Sequence, residues 1–466
     1  MSVFLEEQYD CIVIGAGVAG LACAKKILEK EGEVDRTAKI LVLEAQSYIG
    51  GRVKQSDDFI TGAKVELGAE ILHGAETLLT EFAKEKNELI TEEYCWAHGD
   101  GGPLERPANN GYGLYYLGKV GEESAQQQPR LLRYDDTDED FVRLNEDLWD
   151  TADLKEEDFD ESLSLKDYLI SKGHTEQMIE LASAGFSNTL CTNLEELSFR
   201  QTIRWNRIWN AYGDGEFKLD RSYACLIDYL KEGLEIKLDQ PVDTVTFESS
   251  GNGAEGGHGS QSVVVTTTQG LVARAKTVVL TCSPHVVKAG LIKFDPPLPE
   301  QTVKALHYTK MHPAMKVFLK FSRCVWPRHL AGMIIADKES LFPDIWFRVV
   351  SEDPVEGESA SDQSAACYAT GFATAHYAER LRSLPEEEVY SRLLAQLDKI
   401  FSLLEPKHMN PICPPRDESS GARDESVSEY KEGCAVRLVP SSFYLGGMIQ
   451  CWDVTRHPFI GGGKCD

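Results

Sequence analysis

Apolar positions along this chain follow two patterns, unbroken short runs and helical spacing, and the two alternate in long blocks. Residues 9–14 are an apolar run with β-branched members, the composition of a strand buried on both faces. Residues 21–28 are rich in Ala, Leu and Lys and free of Pro and Gly, which predicts a helix. After a polar loop at 29–37, residues 39–43 predict the next strand, ending at Glu44. The first strand and the helix are joined by Gly15-Ala16-Gly17-Val18-Ala19-Gly20. Strand, tight glycine turn and helix together make a dinucleotide-binding βα unit. Gly15 permits the turn, Gly17 lets a pyrophosphate approach the backbone, and Gly20 lets the helix pack on the strand. The free N–H groups at the helix start are placed to hold phosphate charge. Glu44 is placed to accept hydrogen bonds from ribose hydroxyls, and its charge disfavours a 2′-phosphate and hence NADP.

From 75 to about 212 the pattern changes. Helical segments such as 76–86 and 163–172 alternate with acidic runs at 135–140 and 156–161, which read as solvated faces. Trp205 and Trp209 stand four apart on one helical face and read as core. The first pattern then returns, with a helix at 223–230 and strands at 235–237, 241–247, 262–266 and 275–282, broken by a polar loop at 249–261. Further on, 317–321 predicts a strand with Lys316 at its start, 365–373 a central strand, and 385–401 an amphipathic helix. Residues 411–432 carry a short repeat, Arg416-Asp417-Glu418-Ser419 and Arg423-Asp424-Glu425-Ser426, and too few apolar residues for a core, so a mobile loop is expected there.

Composition narrows this picture. A chain of 466 residues is long enough for two domains with their own cores, and 42% hydrophobic with 26% charged residues is ordinary for a soluble globular protein. The formal charge of −27 is not ordinary. It repels phosphate backbones, which makes nucleic acid a poor partner, and it attracts a small cation; it also serves solubility alone. The 12 cysteines are scattered, with no CxxC zinc or redox motif, so no metal site is expected and a reducing compartment suits them. Residues 1–8 lack a basic n-region, and no apolar run approaches the roughly 20 residues of a membrane helix. A cytoplasmic location is the expectation.

Two further stretches bear on chemistry. Gly50-Gly51-Arg52 follows Glu44 closely and offers a turn and a cation to the same pyrophosphate. In Gly68-Ala69-Glu70-Ile71-Leu72-His73-Gly74, small residues would let a flat ring lie against the backbone. Together with Gly15 to Gly20 and Glu44, these segments resemble the FAD-dependent amine oxidases, in particular the polyamine and spermine oxidase branch, which shares a Gly-Ala-x-x-x-His-Gly segment. The strand after Lys316, followed by Trp326-Pro327, resembles the same family's Lys-x-x-x-x-Phe segment.

The resemblance implies an α/β fold: a Rossmann-like FAD-binding domain built from discontinuous segments (1–74 and 221–298), with an inserted α+β substrate domain (75–220 and 299–450). It implies FAD as cofactor, held by Gly15, Gly17, Ala19, Gly20, Glu44, Gly50, Gly51, Arg52, Gly68, Ala69, Glu70 and the backbone of Val242. It implies that Lys316 holds a water at flavin N5, that His73 orients the substrate or handles its proton, and that a polyamine or related secondary amine and O2 are the substrates. Hydride transfer from the amine's α-carbon, imine hydrolysis and release of hydrogen peroxide would follow. Arg221-Ser222 stands where the family often has glycines, and 451–466 resembles only the start of the family's closing FAD segment, so a truncated form is expected. Monoamine oxidase-like or histone demethylase-like specificity, or a truncated and inactive binding protein, are the alternatives.

Overall fold

The computed structural model describes residues 7–32, 38–60, 63–86, 90–94, 112–121, 128–133, 136–213, 215–219, 222–249, 261–321, 324–326, 330–350, 366–404 and 435–439. Residues 250–260 of the loop expected at 249–261, the loop expected at 411–432 and the closing segment 451–466 lie outside the described residues, as do Asp135, Arg221 and Pro327. The chain divides into two compact units, one drawing on Met1–Gln55 and Tyr223–Met311, the other on Ser56–Ser222 and His312–Met448.

The first unit is built on a seven-stranded sheet. Strand Glu7–Ile14 lies between Ile40–Leu43 and Val272–Leu280, parallel to both, with Ile12 beside Leu41 and Val278. Glu235–Lys237 extends the parallel side, and Gln261–Thr267 and Val242–Ser249 continue as an antiparallel meander closed by Lys293–Asp295. Central parallel strands are covered on both faces, which is why 9–14 and 39–43 read as continuous apolar runs. Their side chains Ile12, Ile14, Leu41 and Leu43 pack with Val245, Val263 and Val265 in one core. Helix Val18–Gly32 follows the first strand directly, and helix Ala224–Lys231 packs against it.

The second unit is organised by another seven-stranded sheet, with Ala366–Thr374 central between Ala314–Phe321 and Asp344–Val350, antiparallel to both. Strand alternation divides its residues cleanly. Val317, Leu319, Ile345, Phe347, Ala369 and Ala373 enter the main core, which helix Glu386–Phe401 covers with Val389, Leu393, Leu397 and Ile400. Lys316, Phe318, Asp344, Trp346, Arg348, Tyr368 and Phe372 therefore share the other face, with Lys316 and Asp344 each opposite Phe372. A helical layer, including Glu139–Trp149, Leu165–Ser171, Glu176–Ala182 and Phe199–Ala211, forms a separate core around Phe141, Leu144, Tyr168 and Phe199. Among the described residues no helix is long and apolar enough to cross a membrane.

The units change over at places other than those the sequence suggested. Residues 56–74 go with the second unit, because the hairpin of Gln55–Ile60 and Ala63–Glu66 buries Phe59, Ile60, Val65 and Leu67 against Phe318 and Tyr368. Residues 299–311 stay with the first: helix Glu300–Tyr308 packs on helix Pro284–Lys288, and Lys288 Nζ donates to the carbonyls of His307 and Thr309, both at 3.0 Å. The acidic run at 156–161 is not simply a solvated face, since Glu156 pairs with Arg204 and, at 2.7 Å, with Arg207. Trp205 and Trp209 are half-buried rather than central to a core.

Candidate functional site

In the first unit the predicted glycine turn is a convergence of bare backbones. Gly50 N–H donates to the Ala16 carbonyl at 2.9 Å, and Gly17 and Gly50 form a parallel bridge. At Gly20 a Cβ would stand 1.9 Å from the Gly15 carbonyl oxygen, so only glycine lets the helix start this close to the strand. Gly50 has φ +107° and would place a Cβ 2.4 Å from the Val53 carbonyl oxygen. Gly15, Gly51 and Gly17 complete the cradle; beside Gly17 a Cβ would meet only the Gly50 carbonyl oxygen, 4.0 Å away.

Glu44 stands at the end of strand Ile40–Leu43 and is itself a part of the turn. Its Oε2 accepts from Ala16 N–H at 2.7 Å and its Oε1 from Gln46 N–H at 2.9 Å. Burial pushes its carboxyl above the usual range, against these N–H groups, which favour the charged form. The Ala45 N–H bonds to the same carboxylate, so three of its four acceptor positions are filled and one remains for a hydroxyl. Ala19 is exposed in the first turn of the helix, Arg52 is exposed just after the second glycine pair, and Val242 is buried at the head of its strand.

In the second unit the sheet face that carries Lys316 is a buried ionic cluster. Lys316 Nζ donates to the Gly68 carbonyl at 2.8 Å, to Glu70 Oε2 at 3.0 Å and, at 3.5 Å, to the Glu66 carbonyl. Arg348 Nε donates to the other oxygen of Glu70, Oε1, at 3.2 Å. The side chains of Lys316 and Glu70 are 2% and 1% exposed, so water does not screen this pair. Burial alone would raise the Glu70 pKa, but Lys316, Arg348 and Lys218 outweigh it and hold it down to about 2. The Lys316 ammonium is pushed down by burial, with Glu70 pulling the other way. Its Nζ also sits 4.7 Å from the centre of the Trp346 ring. On the same face Asp344 is raised to about 8 by burial, although Trp346 hydrogen-bonds to it.

His73 belongs to a second pair. Strand Leu72–His73 lies antiparallel to Glu216–Leu219 with His73 opposite Glu216, and His73 Nδ1 is 2.6 Å from Glu216 Oε2. The imidazole also packs at 5.2 Å on the Trp209 ring. Both atoms are buried and neither makes a hydrogen bond of good geometry, so the pair is a close contact between imidazole and carboxylate.

Set beside known proteins, residues 18–412 match the family described as flavin containing amine oxidoreductase. This chain belongs to that family. Human lysine-specific histone demethylase 2 is 26% identical over 401 residues, which is 84% of this chain and 43% of the demethylase. Polyamine oxidase 4 of Oryza sativa subsp. japonica is 25% identical over 332 residues, 69% of this chain and 61% of that protein. The chain thus spans about half the length of these curated relatives. Among solved structures, wild-type putrescine oxidase bound to putrescine superposes with a TM-score of 0.62 at 20% identity, covering 86% of this chain and 82% of that one. Cyclohexylamine oxidase from Brevibacterium oxydans IH-35A gives 0.59 at 17%, again covering 86% and 82%.

The fold of this flavin amine oxidoreductase is accordingly α/β with a Rossmann-like FAD domain, and its cofactor is FAD. The cradle fits that group: bare backbone at Gly17, where a Cβ would meet only the Gly50 carbonyl oxygen at 4.0 Å, leaves room for a pyrophosphate, and Glu44 retains an acceptor position for a ribose hydroxyl. Gly68 and Glu70, which the sequence assigned to the cofactor, both accept hydrogen bonds from Lys316. Glu216 and Arg348 escape sequence reading because no motif marks them; each is set by strand pairing with distant segments.

Proposed function

We propose that this chain oxidises a polyamine or related secondary amine. The observation that carries the reading is the His73–Glu216 pair at 2.6 Å. An amine arrives as an ammonium ion, and it must lose that proton before the carbon next to nitrogen can give up a hydride. His73 takes that proton, and the Glu216 carboxylate beside it offsets the charge of the imidazolium that forms. Lys316 contributes an ammonium whose third N–H, held only at 3.5 Å, is the one available to a water. Trp209 packs His73 on one side and limits its motion. The charge of −27 favours a cationic substrate. The chemistry that FAD supplies when bound is a two-electron oxidation of the carbon–nitrogen bond, with O2 as final acceptor and hydrogen peroxide as its product.

A second reading, oxidation of an N-methylated lysine side chain, is favoured by the similarity to human lysine-specific histone demethylase 2 over 84% of this chain. A panel of spermine, N-acetylspermine, a monoamine and an N-methyl-lysine peptide separates the two. The FAD-loaded protein is expected to release peroxide and an aminoaldehyde from a polyamine, with His73→Ala lowering kcat/KM by about 10²-fold or more. Formaldehyde from the peptide alone would replace the first reading with the second.

A further inference from the structure

We infer that Arg348 is a positioning residue for Lys316, acting through Glu70: the guanidinium pins one carboxylate oxygen so that the other stays on the ammonium. The inference rests on the reading of Lys316 as a working group of the proposed oxidase. Arg348 pairs in register with Tyr368, while Lys316 pairs with Phe372 on the same central strand. The two cations thus start four residues apart along the strand direction and two strands apart, about 13 Å by about 10 Å. Glu70, from the segment after strand Ala63–Glu66, bridges that distance with one oxygen for each. Arg348 Nη1 also donates to its own strand's Phe347 carbonyl at 3.1 Å, which anchors the guanidinium plane.

The arrangement has a cost that packing alone does not explain. A buried carboxylate carrying two cations leaves excess positive charge, and an apolar replacement of such a group is often as stable or more so. The other charged or titratable groups of the cluster are Glu66 and Asp344, which act on Lys316, and Lys218 on strand Glu216–Leu219, which acts on Glu70. Arginine does not release its proton in proteins, so Lys316 is the cation whose protonation answers to the cluster. Arg348 opposes the Lys316 proton by charge, while Glu70 supports it. Acting by its charge alone, Arg348 lowers the Lys316 titration; acting through Glu70, it supports the proton, so the sign of the shift on its removal separates the two routes.

The test is a pH titration of the Lys316 ammonium by NMR of protein labelled with 13Cε-lysine, the signal assigned by its loss in Lys316→Met. Glu70→Gln is expected to move the Lys316 titration down by about one pH unit or more, and Arg348→Gln, which frees Glu70 from its second cation, to move it the same way by a smaller amount. The pH profile of flavin reduction should move in the same direction. An unchanged or raised Lys316 titration in Arg348→Gln would overturn the inference, because loss of a cation that acts by its charge alone raises it. If Arg348→Gln does not fold, a Glu70→Gln titration that does not fall overturns it. Downward shifts in a protein that oxidises no amine would leave the coupling standing and refute the functional reading instead.

Discussion

Lys316 is a cation held inside the protein by its own carbonyls and carboxylate, and the residues around it divide the ionic work. Glu70 stays charged because cations hydrogen-bond to both of its oxygens, whereas for Asp344, on the same sheet face, burial outweighs the Trp346 indole N–H, the Lys316 charge and the Ile345 backbone N–H, and Glu70 opposes its ionisation further. A carboxyl with an ordinary unfolded pKa near 3.9 that titrates at about 8 in the fold affects stability in one direction. Below the unfolded value both states are protonated and nothing is lost; between there and pH 8 the unfolded chain sheds its proton first, so the fold weakens as pH rises. Asp344→Asn mimics the protonated form and removes this dependence. Its melting temperature should match the parent near pH 4 and exceed it increasingly up to pH 9; equal melting temperatures at both ends would show that Asp344 is ionised in the fold. Lys316 and His73 were legible in the sequence because local motifs surround them. Arg348, Glu216 and Asp344 were not, because their partners are set by register between segments far apart in the chain.

At the scale of elements, the strand–turn–helix at the start of the chain was the most legible part. Its determinants are local: an apolar run, three glycines and a helix-forming stretch within residues 9–28. The helix begins at Val18, inside the glycine motif, earlier than propensity suggested, because Gly20 is needed for close approach rather than as a breaker. Gly20→Ala forces a Cβ against the Gly15 carbonyl and the Thr281 hydroxyl. It should destabilise the chain by about 1–3 kcal/mol in denaturant unfolding and weaken FAD binding, measured by flavin fluorescence quenching. Parent-like affinity in that variant would mean that the cradle does not hold the cofactor. The hairpin at 55–66 was harder to place. Its apolar residues Phe59, Ile60, Val65 and Leu67 show that it is buried, but only the sheet face of Phe318 and Tyr368 shows against what.

For the whole molecule, the pattern of two alternating blocks foretold two units and the return of the chain to the first, while the points of crossing moved because the 56–74 and 299–311 segments find their apolar and hydrogen-bonding partners elsewhere. The family places a flavin in this chain; the proposal is that it oxidises a polyamine, with His73 and Lys316 acting on the substrate. Anaerobic addition of spermine to the FAD-loaded protein, followed by visible absorbance, tests that claim most directly. The account predicts that the flavin bands bleach, and that Lys316→Met and His73→Ala bleach more slowly at the same FAD occupancy. Bands that persist with spermine and with every other amine would contradict it.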